Sequence, residues 1–474
     1  MAETISINPV TRIEGHTRID IFLDDSGAVT DARFLATSFR GFEAFCLGRS
    51  FWEMPGITAR ICGICPTSHA LASALAGDRL LGLTVPPTAV KLRRVLALAQ
   101  VIQSHALSFF FLSLPDFLPG LRDDPARRTL TELARSHPDL VTNAVQLRRF
   151  AHDITSRVGG GVVHPQWIIP GGMAEPLSEK VRQEFLSQIP GLIAIATATI
   201  AQFRQMSDGL RLAGRLGSLP TLYLGLTSAE KTLEYYEGEL TVMDRKGTLL
   251  MAGAVPERFP ELVAEELSSW NYLKGPYYAP LGAVDGSYRV GPLARLNLVA
   301  RAGTRLADAE LATFREQVGA GHPVHDVFFA HHARLIEIMA ALERLQELLD
   351  DPTIIDRRVR SRAEVNQSKG IGVCEAPRGT LCHEYHVDEN GLLERVNLVI
   401  ATVQNSPAMN RAVREIARRE IRGARLTEEV AQLLQIAIRA YDPCISCATH
   451  AAGSNGLVIR LVAPDGTVVQ AFPT

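Results

Sequence analysis

Two Cys-x-x-Cys pairs, Cys62/Cys65 and Cys444/Cys447, stand at opposite ends of a chain of 474 residues. Any fold in which they serve together must bring those ends to one point. Two cysteines three apart can place both sulfurs on one metal, above all where a turn meets a helix start. In Arg60-Ile61-Cys62-Gly63-Ile64-Cys65-Pro66, Gly63 relaxes the backbone between the thiols and Pro66 suits the first turn of a following helix. Asp442-Pro443-Cys444-Ile445-Ser446-Cys447 comes just after a helix end. One such pair is a weak signal; two in one chain are a strong one. A structural zinc site brings its pairs within roughly 15–20 residues, whereas here most of the chain intervenes. That separation suits a buried active site between packed helices. A dithiol–disulfide enzyme carries one reactive pair near a βαβ unit, which the helical pattern does not offer. Soft thiolates accept zinc, iron, copper or nickel, so ligand type alone leaves the metal open.

Charge is nearly balanced, with 49 basic and 51 acidic residues and a formal net charge of −2. With no basic stripe, neither a nucleic acid nor an anionic membrane surface is an expected partner. The most apolar stretch, Leu192 to Ile200, is interrupted by Thr197 and Thr199 and falls short of the ~20 apolar residues of a membrane span. Met1 to Pro9 lacks the basic-then-apolar order of a secretory signal. A cytoplasmic protein is expected, and stable disulfides are uncommon there. The seven cysteines are then ligands, reactive thiols or core residues, and the scattered Cys46, Cys374 and Cys382 read as small buried hydrophobes. No run resembles an iron–sulfur motif and no G-x-G-x-x-G follows a strand. Redox chemistry at the cysteines therefore implies a partner subunit to carry electrons.

The pattern predicts a fold that is mainly α with small β elements (α+β), a long-helix bundle core with peripheral hairpins. Arg18 to Leu23 and Val29 to Phe34 alternate like strands around the turn Asp24-Asp25-Ser26-Gly27. Thr88 is the expected N-cap of a helix running to about Leu114, with Leu92, Val95, Leu96, Ala99 and Ile102 on one face. Further helices are expected over Ser178 to Gln188, Leu192 to Leu212 and Ala330 to Leu349. Two more should run from Ser406-Pro407 to Arg422, and from a cap at Thr427 to Tyr441. Gly159 to Gly172, Gly275 to Pro292 and Gly370 to Gly379 read as connectors. A last hairpin is expected over Leu457 to Phe472, turning at Pro464-Asp465-Gly466.

Six ordered motifs carry a family resemblance. They are Pro9 to His16, Phe39 to Glu43, Arg60 to Cys65 with His69, His164-Pro165 to Gly172, Glu375 to Gly379, and Asp442 to Cys447 with His450. Over nearly its full length the chain resembles the large, catalytic subunit of the NiFe-hydrogenases. Gly56 to Arg60, Gln103 to Phe110 and Tyr288 to Arg295 liken it most to the soluble bidirectional NAD(P)-linked subgroup. The resemblance implies reversible heterolytic cleavage of H2 at a nickel–iron centre with carbon monoxide and two cyanides on iron. It implies that Cys62, Cys65, Cys444 and Cys447 ligate nickel, with Cys65 and Cys447 bridging to iron. The terminal thiolate of Cys444 would take the proton and Glu14 would be the next acceptor. Arg378 would face the diatomics or the vacant metal position, and the Thr402 hydroxyl would donate to a cyanide. Glu43, the Leu398 carbonyl and His450 would hold magnesium, while His69 and His105 would donate to the cysteine sulfurs from outside the ligand set.

The same resemblance implies partners: a small iron–sulfur subunit, diaphorase subunits with FMN and NAD(P), a maturation chaperone and an endopeptidase. Residues 1–450 would form one body, and 451–474 an extension removed after His450 once nickel is in place. The chain as given still carries it. Asn8 stands where relatives commonly have Asp, outside the ligand set. His331 and His332 carry no motif and read as a polar face. Two other readings compete: a quinone-facing scaffold like the related complex I subunit, which lacks the cysteine ligands, and a structural-zinc protein.

Overall fold

The computed structural model describes residues 4–7, 12–36, 41–118, 124, 127–210, 212, 214–318, 323–423, 425–446, 459–462 and 468–472. Among these, the long helices supply the core. Helix Ala330–Asp350 lies at its centre, packed against Pro87–Ala106 and Glu179–Leu210. Its stripe Leu335, Ile338, Met339, Leu342, Leu345 and Leu349 is buried throughout. The expected face of Pro87–Ala106 is buried as well, much of it against Pro138–Gly159, a helix the sequence reading passes over.

Several boundaries differ from expectation, each for a local reason. Helix Pro87–Ala106 is opened by Pro86-Pro87 rather than capped by Thr88, whose hydroxyl donates instead to the Thr353 carbonyl at 3.2 Å. It continues through a wider π-helical stretch, Leu107–Ser113. The two helices expected around residue 190 are one, Glu179–Leu210, with Pro190 inside it. The helix expected to open at Pro407 starts at Ala401 and carries that proline in its interior. Thr427 does cap Glu428–Tyr441, its side chain accepting from Val430 N. Pro87–Asp116 and Glu179–Ser207 each have the length and mean hydropathy of a membrane span, which the sequence reading did not expect. In the first, 83% of the apolar window is buried inside the protein, as a core helix requires.

The N-terminal hairpin forms as expected from Thr17–Leu23 and Val29–Ala36, with Asp24 Oδ1 accepting from Ser26 N and Ala28 N at its turn. Strands Ile459–Val462 and Val468–Phe472 pair antiparallel as the predicted C-terminal hairpin; its turn lies outside the described residues. The second of them runs parallel to Thr4–Ile7, so both chain ends join one five-stranded sheet. A four-stranded sheet places Tyr288–Arg289 parallel to Leu222–Thr227.

The correction that matters most for the site concerns Gly370 to Gly379. This is no connector: Lys369–Ala376 is a strand, antiparallel to Gly379–Val387, which in turn pairs with Leu393–Val399. Its glycines let helix Pro66–Leu81 lie directly on the strand. A Cβ on Gly370 would stand 2.2 Å from Ala76 O, and one on Gly372 2.0 Å from Ala72 O. The helix that begins after Cys65 is thereby seated on the strand that leads to Arg378. Gly372→Ala should cost about 3 kcal/mol or more, because a methyl driven onto backbone has no rotamer by which to escape. A fall in the urea midpoint of the purified chain measures it; an unchanged midpoint would mean that helix and strand can separate freely.

Candidate metal centre

Cys62 follows a short 3-10 turn, and Cys65 is the residue on which helix Pro66–Leu81 starts. Cys444 lies two residues past the left-handed Asp442 (φ 53°) that ends Glu428–Tyr441. The three sulfurs lie within 4.8 Å of one another, and all three residues are buried. Cys62 Sγ stands 3.2 Å from Cys444 Sγ and also accepts from Ile64 N and Cys65 N at 3.2 and 3.4 Å. Cys447 and His450 lie outside the described residues, as do Asn8 to Thr11, Phe39 and Arg40.

Both other ends of the motif set reach the thiols. Glu14 pairs with Cys444 in a parallel bridge: its carbonyl accepts from Ile445 N at 3.0 Å and its Oε2 from Ser446 N at 2.8 Å. Arg12, just upstream, is tied to Asp116, and Asp116 also accepts from Arg439 at 2.6 Å. The N-terminal motif and the last long helix therefore share one buried carboxylate. Thr402 sits in the first turn of Ala401–Glu420, and its Oγ1 accepts from Cys444 N at 2.9 Å. The hydroxyl proton is left for another acceptor.

Arg378 turns the corner between the two strands. Its Nε donates to Asp442 O at 2.6 Å and its Nη2 to Asp442 Oδ1 at 3.1 Å. Burial opposes its charge, but Asp442 and the thiols of Cys444, Cys65 and Cys62 outweigh that and raise its pKa well above the ordinary value. Arg378 Nη1 and Asp442 Oδ2 are buried without a hydrogen-bond partner. Two orphaned polar atoms beside three gathered thiols are what a site built around a further charged or polar group leaves exposed. Soft sulfur donors with a facing cation fit a nickel–iron centre carrying anionic cyanides.

The remaining expected residues divide. Glu43 Oε1 accepts from Leu398 N at 3.0 Å, a bond to the amide and not to the carbonyl expected as a magnesium ligand. His69 Nδ1 faces His383 Nε2 at 3.2 Å, and His383 leads on to Tyr385 at 2.9 Å and Ser73 at 3.0 Å. His105 Nε2 lies 2.7 Å from Glu337, while its Nδ1 is buried without a partner. His331 and His332 form no polar face: they are 0% and 2% exposed, edge-on to Phe117 and Phe314 respectively. Cys46, Cys374 and Cys382 are buried, and burial pushes the Cys46 thiol up to about 12 and raises the other two well above the usual thiol range, as expected of core thiols.

The sequence reading missed Glu337, Arg295 and His383, which surround the site without belonging to a cysteine motif. One signal was available: Arg334 and Glu337, three apart, lie on one face of a helix rich in apolar residues, and charges placed there need buried partners.

Comparison with known proteins agrees with this geometry. A family model described as nickel-dependent hydrogenase matches residues 40–143 and 229–450, and one described as HoxL-like matches residues 4–39. The beta subunit of the NAD-reducing hydrogenase of Cupriavidus necator is 37% identical, over 99% of each chain. A F420-non-reducing hydrogenase chain of Methanothermobacter thermautotrophicus is 35% identical, over 95% of each. Among solved structures, a NAD+-reducing [NiFe]-hydrogenase in the H2-reduced state superposes with a TM-score of 0.90 at 38% identity, covering 94% of this chain and 99% of that one. The Ni-Fe-Se hydrogenase of D. vulgaris Hildenborough gives 0.76 at 25%, covering 94% and 99%. With its thiols gathered where such a centre needs them, the chain belongs to the nickel-dependent hydrogenases.

Proposed function

We propose that this chain is the H2-activating subunit of an NAD(P)-linked hydrogenase, working in the cytoplasm, where its free buried thiols stay reduced. The observation that carries this reading is the meeting of the buried Cys62, Cys65 and Cys444, their sulfurs within 4.8 Å. The NAD-reducing relatives support the acceptor. Electrons would pass through a small iron–sulfur subunit to FMN-bearing diaphorase subunits. When bound, a nickel–iron centre with carbon monoxide and two cyanides on iron supplies the heterolytic cleavage and formation of H2 and exchanges its electrons.

The chain's own part is to hold that group and move the proton. Cys62, Cys65 and Cys444, whose sulfurs are gathered, would hold the centre together with Cys447. The amide bonds from Ile64 and Cys65 fix the position of Cys62 Sγ. Cys444 Sγ holds the proton, and Glu14, bridged to Cys444 along the backbone, receives it next. Arg378 would offer its unpaired Nη1 donors to the diatomics, and the Thr402 hydroxyl would donate a hydrogen bond to a cyanide. His69 and His105 steady the cysteine sulfurs from outside the ligand set. Glu43, the Leu398 carbonyl and His450 hold magnesium, hard oxygen and nitrogen ligands for a hard ion.

Residues 1–450 form the working body in this reading, and a maturation chaperone and endopeptidase act before it works. Cleavage after His450 removes both strands that extend the N-terminal sheet beyond Thr4–Ile7, so maturation also exposes a sheet edge. Mass spectrometry of the chain isolated from its active complex should show a C-terminus at His450. Retention of residues 451–474 in active enzyme would contradict the processing.

Two further measurements test the chemistry. The matured complex should hold nickel and iron at about one each in this chain, with infrared bands of carbon monoxide and cyanide; zinc alone would overturn the assignment. Glu14→Gln should keep the metals and bands yet lose hydrogen–deuterium exchange by about 10²- to 10⁴-fold, the worth of one positioned proton carrier. Full exchange in that variant would remove Glu14 from the path.

A further inference from the structure

The segment Tyr288 to Arg295 is left without a role by the ligand set, although its sequence stands out. Its two ends meet the Arg378 turn. A Cβ on Gly291 would stand 2.7 Å from Arg378 O, and one on Gly379 2.2 Å from Val290 Cγ2. Both glycines have positive φ, 99° and 137°; Gly291 lies on the Arg378 carbonyl and Gly379 under the Val290 side chain, with no room for a Cβ at either. Asn405 stitches the seam: its Oδ1 accepts from Val290 N at 3.0 Å, and its Nδ2 lies 3.3 Å from Val290 O.

Arg295, in the short helix Pro292–Leu298, grips the same turn from beneath. Its Nη1 donates to Glu375 Oε2 at 2.7 Å and to Ala376 O at 3.0 Å, and its Nη2 to Pro377 O at 3.0 Å. Three consecutive residues leading to Arg378 are thus held by one guanidinium. The other edge of the fork is bound by Glu337, Nε to Oε1 at 2.6 Å and Nη2 to Oε2 at 2.7 Å. Glu375 is fixed in turn by Leu226 N at 2.9 Å and Thr380 Oγ1 at 2.6 Å. Arg295, Glu337 and Glu375 have no exposed side-chain surface. Burial works against the Glu337 charge, yet Arg295 and His105 hold its carboxyl down at about 2.

We infer that Arg295 is a positioning residue for the reaction: anchored on Glu337, it sets the Glu375-Ala376-Pro377 backbone and so the place from which Arg378 addresses the metal centre. A planar five-donor fork is needed, since no other side chain can bind a carboxylate on one edge and a carboxylate with two carbonyls on the other. Glu337 also links this grip to His105, 2.7 Å away, joining two expected site residues through one ion pair. The inference rests on the reading of Arg378 as the group that faces the iron diatomics.

The test uses the assembled, matured complex carrying Arg295→Lys, Arg378→Lys, the double variant and Thr380→Val. Arg295→Lys should load nickel and iron normally, shift the cyanide bands, and lower exchange turnover roughly tenfold to a hundredfold with KM little changed, the scale of a misplaced catalytic group. Because Arg295 acts through Arg378, the double variant should be no slower than Arg378→Lys alone. Additive losses, or unshifted bands with full turnover per loaded centre, would overturn the inference. Should Arg295→Lys fail to assemble, Thr380→Val loosens only the Glu375 end. A smaller fall in turnover with shifted bands supports the inference there, and wild-type bands and turnover overturn it. Absence of diatomic bands from the unmodified complex, or an Arg378→Lys variant with wild-type behaviour, would strike the underlying reading instead.

Discussion

Three buried sulfurs crowded within 4.8 Å come from segments remote in sequence, so the rest of the molecule must hold them there. Four separate pieces of chain provide the restraint. The helix after Cys65 lies on a glycine-bearing strand; that strand ends at the Arg378 turn. Arg378 is bonded to Asp442, two residues before Cys444, and Cys444 is bridged to Glu14. Each contact joins segments remote in sequence, so the site closes only when the whole body has folded. A site assembled in this way is specified by tertiary packing, and none of its halves could bind the group alone.

The ties between those pieces are buried arginines. Arg93 joins two neighbouring helices by donating to Asp78 at 2.6 Å, and reaches Ile169 O at 2.6 Å besides. Asp116 collects Arg12 and Arg439; Glu337 and Glu375 share Arg295. Buried ion pairs of this kind add little net stability over well-packed apolar side chains, while loss of one partner costs about 3–5 kcal/mol. Their contribution here is register. Each guanidinium accepts only one arrangement of the carboxylates and carbonyls around it, and that arrangement fixes where Glu14, Arg378 and Cys444 stand.

The cysteine pairs, the long apolar helix stripes and both terminal hairpins were legible in the sequence because each is a local pattern of residue type and spacing. What was illegible depends on partners far along the chain. Gly370 and Gly372 look like loop glycines until Ala72 and Ala76 are seen above them. Ala401 to Ser406 looks too polar to precede Pro407 within a helix. Yet Thr402 receives Cys444 N, Gln404 bridges Tyr288 to Thr380, and Asn405 clasps Val290. Those bonds recover what the helix loses at Pro407, where an interior proline removes a bond and costs roughly 3 kcal/mol. His331 and His332 mislead for the same reason: their surroundings are aromatic rings and Glu310, not water. Membership of the ligand set could be expected from motifs, whereas the framework around it had to be seen.

That framework bears on rate as well as on fold. Moving a proton away from a metal thiolate in a low-dielectric interior is fast only if the surrounding dipoles and charges already face the right way, since nothing then has to reorganise. Glu337 illustrates the point. As an ionised carboxylate it is an acceptor only, so the proton between it and His105 must sit on His105 Nε2. Burial holds the His105 pKa down, to about 4, against the pull of Glu337, so the ring is neutral near pH 7 and its buried Nδ1 is a bare acceptor. A carboxylate on a core helix fixes the tautomer of one histidine and, through Arg295, the backbone that carries Arg378. The same ion pair sets an acceptor on one side and a cation on the other before any substrate arrives.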